Sequence, residues 1–189
     1  MKKLIYKSII FIGLITIINS CKAQTLPMNT ALDNIPNNAQ VKDLNNELNP
    51  YIGTYKANFE GNEITLFITK EENKLEKRVS KQFYRDALII KYIIKNTNGL
   101  ILQDTQNNND SNNKLHSTKI RVSQNSVDLN YSGTNCGVGW GIVKLKKLNP
   151  TQISWDYNPN STSVGDDCSA NADKTVYLPE TDNLIFTKQ

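Results

Sequence analysis

From Tyr51 to the C-terminus, apolar and polar residues alternate with a period of two. Tyr51, Tyr55, Ala57 and Phe59 alternate with Thr54, Lys56 and Asn58; after Glu60-Gly61-Asn62, Ile64, Leu66 and Ile68 alternate with Thr65, Phe67 and Thr69. Alternation of this kind predicts half-buried strands, and the Gly-Asn step between the two runs predicts a tight hairpin. Leu88, Ile90, Tyr92 and Ile94 form another such face with Lys91 and Lys95 opposite, and Thr97-Asn98-Gly99 turns the chain into Leu100-Ile101-Leu102. Further on, KLHSTKIRV, SVDLNY, GIVKLKKL, TQISWDY, KTVYL and NLIFTK each have strand length, with turn chemistry at Gln124-Asn125, Asn149-Pro150 and Pro179-Glu180-Thr181-Asp182. The stretch 71–84, EENKLEKRVSKQFY, fits either a strand with a long loop or a helical turn, and QNNNDSNN at 106–113 reads as a polar loop.

About nine or ten short strands without a long amphipathic helix predict an all-β, antiparallel domain. Closure removes exposed strand edges, so a single barrel is the first expectation and an open β-sandwich the second. A short helical turn is expected before the first strand, with Asp43 as its N-cap and Pro50 just beyond.

The N-terminus has a different pattern. A basic segment, Met1 to Lys7, precedes the uncharged apolar run SIIFIGLITII at residues 8–18. That run falls short of the roughly 20 residues needed to cross a bilayer and fits a secretory signal peptide. Ile18-Asn19-Ser20-Cys21 resembles the lipobox of bacterial lipoproteins, with Asn19 an uncommon occupant of its position. The resemblance implies acylation of Cys21 (the lipid, palmitate-type, anchor) and cleavage before it. Two or three acyl chains make a stable membrane anchor. The organisation expected is residues 1–20 as signal peptide, 21–42 as lipidated cysteine and flexible tether, and 43–189 as the β-rich domain. The segment after Cys21, KAQTLP, has no acidic cluster, which favours a periplasm-facing outer-membrane lipoprotein over a surface-exposed one.

Charge changes once the leader is removed. Lys2, Lys3 and Lys7 depart, so three fewer than the 22 basic residues face 18 acidic ones. A near-neutral domain argues against nucleic acid as a partner. Of three cysteines, Cys21 is taken by lipid, leaving Cys136 and Cys168 to pair in an oxidising envelope. Two thiols and the single histidine, His116, fall short of a zinc ligand set, so no metal and no cofactor is expected.

Candidate chemistry is sparse. His116 shares parity with Thr118 and Ile120 and has no nucleophile or orienting acid beside it in sequence; Glu71-Glu72 and Asp166-Asp167 are adjacent carboxylates whose side chains diverge on a strand. No catalytic residue is assigned, with a carboxylate-based enzyme kept as a minor alternative. In TNCGVGWG, residues 134–141, the glycines are spaced Gly-x-Gly-x-Gly and lead into a strand, which excludes a phosphate loop at a helix N-terminus. The run reads as a backbone device, with bends or close approaches at a strand entrance and Cys136 stapling the corner. The aromatic residues Tyr55, Tyr92, Tyr131, Trp155 and Tyr157 fall on faces read as inward, where they either fill the core or line a cavity. Trp140 lies outside the alternation and is the candidate exposed anchor.

Gly53-Thr54-Tyr55 and the hairpin after it match the layout of lipocalin-like barrels, with Tyr55 in place of the tryptophan of their Gly-x-Trp motif. More extensively, NELNPYIGTYKANFEGNEITLFITK, LIIKYIIKN, ILQDTQ, TNCGVGWG, TQISWDY and TVYLPETDNLIFTKQ resemble a family of small flavobacterial lipoproteins classed as a domain of unknown function. That resemblance implies a Bacteroidota origin and an envelope location, and no activity. The functional expectation is a non-catalytic binding module for a small apolar or sugar-like ligand. The alternative is contact with an envelope protein, as an inhibitor or assembly accessory.

Overall fold

The computed structural model describes residues 24–107, 115–160 and 163–189. The expected signal peptide, Cys21 and most of the 106–113 loop lie outside the described residues. The strands are β1 (Thr25–Pro27), β2 (Gln40–Lys42), β3 (Gly53–Phe59), β4 (Asn62–Lys77), β5 (Gln82–Lys95), β6 (Ile101–Asp104), β7 (Leu115–Arg121), β8 (Ser126–Tyr131), β9 (Gly141–Asn149), β10 (Gln152–Tyr157) and β11 (Thr181–Lys188).

Eight of them close into an antiparallel barrel. The ladder runs β5-β4-β3-β11-β10-β9-β8-β7 and returns to β5 through the β5–β7 pair, so each barrel strand neighbours the next in sequence and β11 meets β3. The barrel is therefore chosen over the sandwich. Its interior is the face read from the alternation: Tyr55, Ile64, Leu66, Ile68, Leu88, Ile90, Tyr92, Ile94, Val127, Leu129, Val143, Leu145, Ile153 and Phe186 are all buried. The opposite face of β7–β10 presents charges of alternating sign: Lys119 pairs with Asp128, Asp128 with Lys144, and Lys144 with Asp156. Cross-strand pairs of opposite charge each contribute roughly 0.2–1 kcal/mol and oppose a slip in register.

The 71–84 stretch resolves as strand. β4 continues to Lys77 and returns in β5 at Gln82, with a bulge between Glu71 and Lys74. Asn73 sits in the bulge at φ 55°, a left-handed conformation that asparagine tolerates better than most residues. The turn before β3 is a 3-10 turn at Asn49–Tyr51, with Pro50 inside it rather than beyond it. Asp43 does cap the preceding segment: its carboxylate accepts the N–H groups of Glu47 (2.6 Å) and Leu48 (3.3 Å).

Two expectations are corrected. KTVYL is not a strand; residues 174–178 are irregular, because Leu178 turns into the core and the Pro179 carbonyl accepts the indole N–H of Trp155 (2.9 Å). Nor are residues 24–42 a free tether. β1 pairs in parallel with β2, β2 pairs in parallel with β5, and Met28, Ile35, Ala39 and Val41 are buried. This strap lacks an apolar period because it crosses the barrel as an irregular segment, contributing single buried side chains rather than a face. The Lys81 ammonium donates to the carbonyls of Leu32 and Ile35, and the Asn38 N–H donates to the Gln82 carbonyl.

Among the described residues, one ladder pair, Ile89 with His116, joins β5 to β7. Side chains complete this closing seam: the Leu88 N–H donates to Ser117 Oγ (2.8 Å) and Arg85 Nη1 donates to the Thr118 carbonyl. Glu76 Oε1 and His116 Nε2 lie 3.2 Å apart across the same region.

Candidate functional site

Five of the six residues singled out in the sequence lie inside. Tyr55, Tyr92, Tyr131, Trp155 and Tyr157 are buried, and the last three pack with Phe186 into a continuous stack. Ring centroids of Tyr131 and Tyr157 are 5.9 Å apart, those of Trp155 and Tyr157 6.2 Å, both edge-on, and Trp155 meets Phe186 at 5.9 Å. Such contacts are worth about 0.5–1.5 kcal/mol each beyond burial.

Their polar tips are occupied. The Tyr92 and Tyr131 hydroxyls lie 3.5 Å apart, Tyr157 donates to the Gly139 carbonyl, and Trp155 donates to Pro179. Burial pushes the Tyr92 hydroxyl far above its ordinary value of 10.0, with the neighbouring tyrosines adding to it, and burial, then Tyr131 and Glu180, raises Tyr157. These phenols stay neutral, and their hydrogen bonds are spent within the protein. An eight-stranded barrel is just wide enough to be filled by side chains or to hold one small ligand; here aromatic side chains occupy the stretch between β5 and β11.

Tyr55 belongs to the other end. Its ring centroid lies 5.6 Å from Lys147 Nζ and 5.8 Å from Lys188 Nζ, two cations against one aromatic ring. Burial, then the Lys188 charge, lowers the pKa of Lys147 from its ordinary 10.5. Burial and the neighbouring Tyr55 raise Tyr51 to about 12.

TNCGVGWG is architecture. Cys136 and Cys168 form a disulfide with Cα atoms 5.7 Å apart. Cys136, Gly137 and Gly139 all have positive φ (59°, 73° and 76°). A Cβ on Gly139 would stand 2.5 Å from Val176 Cγ2 and 3.1 Å from the Tyr157 hydroxyl, so glycine there is a close-approach requirement. Trp140 projects outward, 48 % exposed, two positions before Ile142, which is 52 % exposed. The Asn160 N–H donates to the Trp140 carbonyl (2.8 Å).

His116 lies on the outside of the seam. A bulge between Ser117 and Lys119 breaks the parity of β7, so Leu115 and Ser117 turn inward, then Ile120, while His116 reaches Glu76. Glu71-Glu72 stand at the β4 bulge, and Asp166-Asp167 stand in the disulfide-tied loop.

Sequence reasoning missed a cluster of charges buried within strands. Glu76 and Arg85 are both nearly inaccessible, at 6 % and 5 % exposure, and Arg78 Nη2 stands 3.6 Å from Glu76 Oε2. Burial raises the Glu76 carboxyl, but the His116 imidazole and the charges of His116, Arg85 and Arg78 outweigh it and hold the group below its ordinary 4.5. Beside this cluster a cleft of about 420 Å³ opens between the strap (Met28, Leu32, Ile35) and β5 and β7 (Arg85, Lys119, Ile120), with Arg78 at its edge. The available signal was charge at positions where the flanking strand residues are apolar, as in QFYRDALII.

The family model described as "Family of unknown function (DUF6705)" matches residues 1–189. The chain belongs to that family. No match was found among curated proteins or among solved structures. Among the described residues, no group of three or more His, Cys, Asp or Glu side chains is placed to hold a metal ion.

Proposed function

We propose that this protein is a lipid-anchored binding protein of the bacterial cell envelope, held to the outer membrane through Cys21, that binds a small ligand rather than transforming one. The ligand site is the cleft beneath the strap, not the barrel lumen. The observation that carries this reading is a contrast. The lumen is packed with aromatic residues whose polar tips already have partners, while an amphipathic cleft of ligand size lies between strap and barrel.

Native mass spectrometry of the envelope-extracted protein tests the reading. A retained low-mass species is expected, and it should be lost in Ala31→Trp, which fills the cleft from an exposed strap position. Retention of the same species by Ala31→Trp would move the site elsewhere. For the anchor, Cys21→Ser should leave the envelope membrane fraction, and globomycin should block processing of the wild type.

A second reading, contact with an envelope protein, is supported by the half-exposed pair Trp140 and Ile142 beside a disulfide-fixed loop. An aromatic anchor on a rigid corner is the kind of residue that dominates interface energetics.

A further inference from the structure

We propose that the strap cleft takes an amphipathic anion: a carboxylate or phosphate monoester head held by Arg85, Arg78 and Lys119, on a short aliphatic tail lying against Met28, Leu32, Ile35 and Ile120. This rests on the binding-protein reading above and adds the chemistry of the ligand.

Three cations line the cleft, and the cluster behind them contains one carboxylate, Glu76. Asp33, on the turn Leu32–Asn34, does not line it. The decisive group is Arg85. Its Nη1 is committed to the Thr118 carbonyl, but its Nε–H is buried with no hydrogen-bond partner among the described residues. A buried donor without a partner costs about 1–3 kcal/mol, more for a charged group, so such donors are rare unless something else satisfies them. Side-on pairing of a guanidinium with a carboxylate or phosphate uses the Nε edge, the edge left over here. Glu76 Oε1 is likewise buried without a hydrogen bond among the described residues, but its charge is shared among His116, Arg85 and Arg78, so one carboxylate does not balance the three cations of the cleft. Arg78 and Lys119 are exposed and add charge at the rim without a desolvation penalty of their own.

The apolar wall accounts for the tail. Met28 and Ile35 are buried strap residues and Ile120 is a buried residue of β7, so three elements present aliphatic surface within one cleft. A neutral molecule would satisfy the wall and leave the Nε–H unpaired; a bare inorganic anion would do the reverse. Only a molecule with both parts matches the lining.

Isothermal titration calorimetry of the full-length protein in lipid nanodiscs, with empty nanodiscs as the blank, tests the proposal with octanoate, octyl phosphate, octanol and inorganic phosphate. Saturable binding of octanoate or octyl phosphate, one per chain, is expected, with octanol at least about tenfold weaker, the loss of one charge-assisted hydrogen bond. Whichever of the two anions binds more tightly identifies the head group. Arg78→Gln and Lys119→Gln should each weaken the anion severalfold without disturbing the fold, and Lys144→Gln, outside the cleft, should leave it unchanged. Octanol binding as tightly as octanoate would overturn the anion assignment while leaving a ligand cleft in place. Failure of both to bind, in wild type and variants alike, would remove the cleft reading as well.

Discussion

The junction between strap and barrel depends on Asp86, and removing its carboxylate gives a decisive test of how the strap is held. Asp86 Oδ1 accepts from Lys42 Nζ (2.7 Å) and the Asn73 N–H (3.1 Å), while Oδ2 accepts the Asp43 N–H (3.1 Å). One side chain thus ties the end of β2 to the β4 bulge, from a position that is 3 % exposed. In Asp86→Ala two main-chain N–H groups lose their acceptor at about 1–3 kcal/mol each, and Lys42, partly exposed, recovers some hydration. The expected cost is about 3–5 kcal/mol, the range for breaking a buried pair from one side. Asp86→Asn retains an oxygen for Lys42 and Asn73 but turns its amide donor toward the Asp43 N–H, so about 2–3 kcal/mol is expected.

Urea unfolding of the protein, followed by tryptophan fluorescence, reads both values. The pH dependence has a definite sign. Burial raises the Asp86 carboxyl, but the Lys42 bond and the two N–H groups outweigh it, so its folded value is lowered from 3.8. Its contribution is present above that ordinary value and is lost as pH falls through the lowered one. The gap between wild type and Asp86→Asn should therefore be constant around neutral pH and shrink in acid. A cost under about 1 kcal/mol for Asp86→Ala, or a gap that does not narrow in acid, would refute the assignment of strap docking to this carboxylate.

Other outcomes follow from the disulfide corner and from Trp140. Gly139→Ala meets both a positive φ and Val176, so a loss of about 2–3 kcal/mol is expected, whereas Gly137→Ala, whose Cβ comes no nearer than 3.9 Å to another atom, should lose only about 1 kcal/mol; equal losses in thermal unfolding would show that contact plays no part. Cys136→Ser opens a loop spanning 32 residues of separation and should cost roughly 3–4 kcal/mol in chemical denaturation, with reduction of the wild type giving the same value; a cost near zero would mean that the loop is fixed by its other contacts. Trp140→Ala should change stability by less than about 1 kcal/mol, because the ring is half exposed. Under the protein-contact reading it should abolish co-purification of a crosslinked envelope partner, and an unchanged crosslinking pattern would remove that reading.

Much of the barrel was legible because side-chain alternation is a local property. Inward faces such as Tyr55–Ala57, Ile64–Leu66–Ile68 and Leu88–Ile90–Tyr92–Ile94 follow from period two alone, and the hairpin at Glu60-Gly61 was signalled by Gly61, which accepts positive φ, although Glu60 adopts it too. The pairing of Cys136 with Cys168 followed from counting thiols, and the glycine run could be read as backbone geometry because a strand rather than a helix succeeds it. What sequence left open was decided by contacts between distant segments. Whether the eight strands close depends on Ile89 meeting His116 across the chain, and whether the lumen is filled depends on aromatic residues from β5, β8, β10 and β11 coming together. KTVYL has strand composition, yet it is drawn out of the sheet by the seat for Leu178 and the acceptor that Pro179 offers Trp155. The strap and its cleft had no periodic signal, since single residues such as Met28 and Ile35 are buried by a surface that exists only once β4, β5 and β7 are assembled. By the parity of Leu88, Ile90, Tyr92 and Ile94, Arg85 falls on the outer face of β5. Only the strap folded over that outer wall makes it a buried cation with a donor to spare.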